Sequence, residues 1–226
     1  MADPNRALFQ SVVRLLAPVL DELVFVGGCM TGLFITDPAA SGIRPTKDVD
    51  AIVDVASYSK YAALADRLRA IGLAEDTTEG APLCRWRHGA LIVDVMPTDA
   101  SVLGFSNRWY PDAVETASTI EVAGHRVRIV TPVLFIAIKL EAFRGRGSGD
   151  VVASHDLEDI IAVLDGRPEI VSDVAAASSK VRDYIAAEIR ALLDDRDFIE
   201  ALPGFLLPDA ASQSRRALLR TDFAGC

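Results

Sequence analysis

Residues 26–55 read VGGCMTGLFITDPAASGIRPTKDVDAIVDV, and the two ends of this stretch decide the fold. At its start a double glycine, Gly27-Gly28, closes the apolar run Leu23-Val24-Phe25-Val26. At its end two carboxylates one residue apart, Asp48 and Asp50, open a second apolar run. Alternate residues of a strand share a face. A strand over 48–55 therefore points Asp48 and Asp50 the same way at its mouth, roughly 7 Å apart along the backbone. Close carboxylates repel one another unless a cation sits between them. Hard oxygen ligands at that spacing suit Mg²⁺. Glycine lets a backbone approach a phosphate closely. The stretch reads as a phosphate-and-magnesium site.

Working outward, residues 4–22 carry helical spacing (Leu8, Val12, Leu15, Leu16, Leu20), with Pro18 set to kink or shorten the helix. Residues 23–26 read as a short buried strand, 29–35 as a helix start and 36–46 as a loop with two prolines. Residues 57–71 form a helix capped by Ser57 and stopped by Gly72. Two hairpins follow: 83–87 with 91–96 around His88-Gly89, and 119–122 with 126–130 around Ala123-Gly124-His125. Residues 105–111 are irregular and aromatic. From Pro132 the pattern turns helical, over 132–143, 154–164 and 181–193, with a glycine-rich connection at 144–150 and a basic tail piece at 213–220. The expected fold is α/β of the mixed α+β kind. A small mixed-sheet core spans 1–130, and a helical part spans 131–226 and closes a cleft.

A third carboxylate, Asp94, lies in the middle of the apolar strand 91–96, where an unpaired charge would be costly. Asp48, Asp50 and Asp94 together can grip one or two Mg²⁺ ions. A plainer reading also stands: Asp48 capping a turn, Asp50 on a solvated face, and Asp94 paired with an arginine. Lys139, inside the apolar helix PVLFIAIKLEAF, is aimed at a phosphate or paired with Asp156 or Asp159. Asp156 and Asp159 share a helix face at i, i+3. Arg44 reaches a triphosphate or pairs with Asp48.

The net charge of −9 argues against broad binding along nucleic-acid backbones, and leaves room for a local basic patch. Arg126, Arg128, Lys139, Arg144 and Arg146 are candidates for such a patch. No apolar run approaches the roughly 18–20 residues that span a bilayer. No secretory signal is legible, and three scattered cysteines suggest no disulfide framework, so a reducing cytoplasm is the expected home. The glycine-rich connection lacks the strand–GxxxxGK[ST]–helix order of a P-loop. His88, His125 and His155 are scattered, which speaks against zinc. Trp109 and Tyr110 are candidates to stack on a base, and Trp86 is better placed as core.

Gly27-Gly28, Arg44-Pro45-Thr46-Lys47-Asp48-Val49-Asp50 and Val93-Asp94-Val95 resemble the nucleotidyltransferase superfold shared with polymerase-β-like enzymes. The R-x-T-x-D-h-D form is more closely similar to the AbiEii/AbiGii-type nucleotidyltransferase toxins. Lys139-Leu140-Glu141-Ala142, Arg144 and Asp156-Leu157-Glu158-Asp159-Ile160 resemble that family's helical signature. The resemblance implies an enzyme that moves an NMP from NTP to an acceptor hydroxyl. It implies Mg²⁺ on Asp48, Asp50 and Asp94, with Asp94 nearest the nucleophile. It implies a triphosphate contact at Lys139 held by Asp156, with Gly27, Gly28, Thr31 and Arg44 also on the nucleotide. The implied acceptor is tRNA or another RNA, and a cognate antitoxin is the implied partner. A small-molecule acceptor and a non-catalytic nucleotide-binding role remain open beside it. The chain departs from the pattern in three ways: Gly27-Gly28 replaces the common Gly-Ser, residues 37–46 lengthen the loop before the acids, and His155 stands where a basic residue often precedes the Asp.

Overall fold

The structure is a computed structural model that describes residues 3–40, 42–145, 151–206 and 213. Arg146 and the tail arginines Arg215, Arg216 and Arg220 lie outside the described residues. The chain divides into two units, and the division does not follow chain order. Pro4–Met30 and Pro45–Thr131 form a sheet unit; Met1–Asp3, Thr31–Arg44 and Pro132–Cys226 form a helical unit.

In the sheet unit, α1 (Arg6–Leu15) buries Phe9, Val12 and Val13, and the Phe9 ring meets Phe25 edge-on at 5.1 Å. The helix expected to run to residue 22 stops at Leu15 and continues as a tighter turn, Ala17–Glu22. Pro18 sits in its first turn, where its missing N–H costs nothing. The strands are β1 (Leu23–Val26), β2 (Val49–Val53), β3 (Ala74–Glu75), β4 (Arg85–His88), β5 (Leu91–Pro97), β6 (Ser118–Val122) and β7 (His125–Ile129). They form one mixed sheet in the order β3-β4-β5-β2-β1-β7-β6. The pairs β2/β5 and β1/β7 are parallel, and the others antiparallel. The central strands β1 and β2 are apolar along nearly their whole length because they are buried along it.

Between strands, α3 (Tyr58–Ala70) is capped as expected, with Ser57 Oγ accepting from the Lys60 N–H at 3.4 Å. The Tyr61 hydroxyl donates to the Val95 carbonyl at 2.9 Å and ties α3 to β5. The β6–β7 turn has positive φ at both central residues, Ala123 (52°) and Gly124 (83°), the backbone that matches strand twist in a tight hairpin. Two short helices flank the segment 105–111 that was expected to be irregular: α4 (Ala100–Leu103) before it and α5 (Tyr110–Glu115), which takes its last two residues. Strand β3 was not legible: it has two residues, both exposed, and no alternation to read.

The helical unit contains α2 (Thr31–Phe34), α6 (Pro132–Gly145), α7 (His155–Gly166), α8 (Ile170–Ala176), α9 (Ser179–Asp194) and α10 (Arg196–Ala201). Helix α6 is buried on nearly every side, as its all-round apolar sequence predicts. Ser154 caps α7 by accepting from the Leu157 N–H at 3.3 Å. Thr31–Arg44 joins this unit through specific bonds. The Thr36 and Asp37 N–H groups both donate to the Gly166 carbonyl, at 2.8 and 2.9 Å. Phe34 packs on Phe135 with ring centres 5.2 Å apart. The architecture is thus α/β, a mixed sheet with many helices. Among the described residues, no helix is long and apolar enough to cross a membrane.

Candidate functional site

Strand register brings the acids together. Asp50 lies opposite Val26 on β1 and opposite Asp94 on β5, and Asp94 in turn lies opposite Arg85 on β4. Residues paired across a sheet share a face, so Asp50, Asp94 and Arg85 project the same way. Asp48 precedes β2 by one residue and is two residues from Asp50, on that same face.

The double glycine is fitted to this row. Gly27 has φ +74°, a left-handed backbone that glycine adopts freely. A Cβ placed there would stand 1.8 Å from Asp50 Oδ2 and 2.6 Å from Asp50 Cγ. The Asp50 carboxylate therefore fills the space a side chain at 27 would need. Gly28 opens a short turn, Gly28–Met30, in which the Met30 N–H donates to the Gly27 carbonyl at 3.0 Å. Thr31 is buried, and its Oγ1 has no hydrogen-bond partner among the described residues.

Arg85, not among the residues expected from the sequence, meets two of these acids. Its Nε donates to Asp94 Oδ1 at 2.9 Å, and its Nη2 to Asp94 Oδ2 at 2.8 Å. The same Nη2 donates to Asp48 Oδ2 at 2.9 Å. Thr46 Oγ1 donates to Asp48 Oδ1 at 2.9 Å. One part of the plainer reading is therefore seen: Asp94 has an arginine partner; Asp48 is held by the side chains of Arg85 and Thr46. The hydrogen bond to Asp94 raises the Arg85 guanidinium above its ordinary value, so it stays charged. The hairpin carried the signal for this residue. His88 faces Leu91 across the tight turn at Gly89, and counting back pairwise sets Arg85 against Asp94.

The donor set fits a hard divalent ion: carboxylates, with a cation already lodged between two of them. Among the described residues no three His, Cys, Asp or Glu side chains are drawn in around a common point. Instead, the Arg85 fork spreads Asp48 and Asp94 around a planar guanidinium. Asp48, Asp50 and Asp94 are the residues that would hold Mg²⁺.

The helical unit gathers the remaining candidates into a second charge cluster. Lys139 Nζ lies 3.0 Å from Asp156 Oδ1 and 2.7 Å from Asp159 Oδ2. Arg44 grips Asp159 with a fork, Nε to Oδ1 at 3.1 Å and Nη2 to Oδ2 at 2.9 Å. The expectation that Arg44 pairs with Asp48 is corrected: Arg44 takes Asp159, and Arg85 takes Asp48. Lys139, Asp156 and Asp159 are all buried, so the pairing of lysine with both aspartates is an ion pair between α6 and α7.

Other candidates have internal roles. Trp86, Trp109 and Tyr110 are buried, so none offers a stacking face to a base. Of the expected basic patch, Arg128 donates to the Val114 carbonyl and Arg144 pairs with Glu188. His88 shares a hydrogen bond with the Gly72 carbonyl, and His155 pairs with Glu158. At the other ends of β2 and β5, beyond Asp54 and Thr98, lies a cavity of about 530 Å³ lined also by Asp99, Ser106, Asn107 and Arg108.

No protein-family model matches the chain, and no curated protein matches it in sequence. The solved structures similar to it include the following two. One is an antigenic nucleotidyltransferase-like protein from Paracoccidioides brasiliensis, at TM-score 0.49 and 19% identity, covering 88% of this chain and 94% of that one. The other is ANT(2″)-Ia in complex with adenylyl-2″-tobramycin, at TM-score 0.43 and 16% identity, covering 81% of this chain and 98% of that one.

Proposed function

We propose that the chain is a Mg²⁺-dependent nucleotidyltransferase, moving an NMP from an NTP to an acceptor hydroxyl. The observation that carries the reading is the row Gly27–Asp50–Asp94 with Asp48 beside it. A glycine without room for a side chain, and carboxylates brought to one face by register, suit a bound phosphate and its metal. Bound Mg²⁺ supplies charge neutralisation at the transferring phosphate. The acceptor oxygen bonds to the α-phosphorus as the bond to the bridging oxygen breaks, and pyrophosphate leaves with that electron pair. Asp94 takes the acceptor's proton, and the turn at Gly27-Gly28 lets the backbone approach the nucleotide. Positioning and electrostatics suffice for such a transfer.

Within that class we place the chain with the AbiEii/AbiGii-type toxins. The 3.0 Å contact of Lys139 with Asp156 supports this, because the resemblance has Asp156 holding Lys139 on the triphosphate. Thr31 and Arg44 belong to the same nucleotide-binding set. The acceptor is then tRNA or another RNA, and an antitoxin is the partner. A second reading, a nucleotide-binding member without transfer activity, is favoured by Arg85, which already satisfies Asp48 and Asp94.

The test is incubation with Mg²⁺ and each labelled NTP, in the presence of total tRNA or of a metabolite pool. Label should move to RNA with wild type and fall about 10³-fold with Asp50→Asn. Label on small molecules instead would redirect the acceptor. Transfer that survives Asp50→Asn sinks the mechanism, and tight NTP binding without transfer favours the second reading.

A further inference from the structure

We propose that Arg85 is a tethered counter-ion for the acid site, holding Asp48 and Asp94 until a divalent cation displaces it. The inference rests on the metal-site reading above and goes beyond it by assigning a competitor within the chain. Three observations carry it. First, the stoichiometry is unequal: one guanidinium serves two carboxylates, sharing Nη2 between them at 2.9 and 2.8 Å. A divalent ion brings two charges to the same pair. Second, the arginine reaches solvent. Its side chain is 21% exposed and that of Asp48 is 30% exposed, so the head can swing into water while its stem stays on the sheet. Third, Arg85 sits directly across from Asp94 on a neighbouring strand, so its tether is short and its local concentration high.

The consequence is a site opened by cation competition and not by pH, because a guanidinium keeps its charge across the working range. The fork on Asp94 also spares a buried carboxylate the cost of standing unpaired. Divalent affinity is lowered in exchange.

Mn²⁺ binding, followed by electron paramagnetic resonance without nucleotide, tests the proposal. Arg85→Gln should bind Mn²⁺ at least about ten-fold more tightly than wild type, with Arg85→Lys between them. Adding Asp50→Asn to Arg85→Gln should remove the gain. Equal Mn²⁺ affinity in wild type and Arg85→Gln, abolished in both by Asp50→Asn, overturns the counter-ion role and leaves the metal site standing. No Mn²⁺ bound by any of them sinks the metal-site reading and this inference with it. Should Arg85→Gln not fold, wild type labelled with ¹⁵N-arginine decides. A protected Nε–H resonance, absent from Arg85→Lys, should lose its protection at saturating Mg²⁺. Protection unchanged by Mg²⁺ overturns the proposal.

Discussion

Arg85 between Asp48 and Asp94, and Lys139 between Asp156 and Asp159, are each a cation shared by two aspartates, yet their surroundings differ. The Lys139 cluster is buried, with side-chain exposures of 9%, 5% and 2% for Lys139, Asp156 and Asp159. A second cation, Arg44, joins it on Asp159. Charges taken out of water must be matched, since an unpaired one costs several kcal/mol, and here two cations meet the two buried aspartates, with Arg44 also 3.7 Å from Glu158. The Arg85 cluster opens to solvent at Arg85 and Asp48, and one cation serves both carboxylates. A matched, buried cluster holds two helices together. An unequal, reachable one can exchange its cation.

The contrast breaks first at Lys139. Lys139→Met should cost about 3–5 kcal/mol of unfolding free energy in a urea titration, because it removes the cation shared by two buried carboxylates. Loss of NTP binding with the urea midpoint unmoved would mean the lysine serves the nucleotide alone. Gly27→Ala comes next, at about 2–4 kcal/mol. It combines left-handed backbone with a clash against Asp50, and it should also abolish divalent binding. Paired substitutions then sharpen the comparison. Arg44→Lys, which loses a fork on Asp159 (2% exposed), should cost about 1–2 kcal/mol; Arg85→Lys, whose partners Asp94 and Asp48 are 9% and 30% exposed, should cost under about 1 kcal/mol. Equal costs would erase the distinction drawn between the clusters.

The smallest effect is alkaline. Burial pushes the Cys84 thiol, next to Arg85 in the chain, up to about 12, and burial pushes Tyr61 up to about 12 as well. Both groups have folded values raised above their ordinary values, so their contribution is complete below pH about 9 and is lost as pH rises toward 12. Urea midpoints measured from pH 8 to 11 should fall, and Tyr61→Phe with Cys84→Ala should flatten the decline. The same thiol should resist alkylation in the folded protein at pH 8 and react in urea, as read by mass spectrometry.

Much of the sheet was legible because its signals are local. Ser57 and Ser154 cap the helices that follow them, Gly72 and Gly124 take positive φ, and two hairpins lie where alternation and turn residues put them. Strand β3 and helices α4, α5, α8 and α10 were missed, since two to seven residues hold too little periodicity to read. Residues 36–46 read as a plain loop. The membership of the part up to Arg44 in the helical unit depends on Gly166 and Asp159, more than a hundred residues away.

Local pattern along the chain sets the alternation that turns Asp48 and Asp50 to one face, the buried setting of Asp94, and the apolar helix around Lys139. These follow from the two-residue and 3.6-residue periods, which any window of the chain displays. Only the tertiary structure decided which cation meets which carboxylate: Arg85 for Asp48 and Asp94, Arg44 and Lys139 for Asp159. It alone set the Asp50 carboxylate in the space that glycine leaves at position 27. Charge attraction has no period, and long side chains reach across strands and helices. A carboxylate's partner is therefore fixed by where the backbone carries each residue, not by its neighbours in sequence.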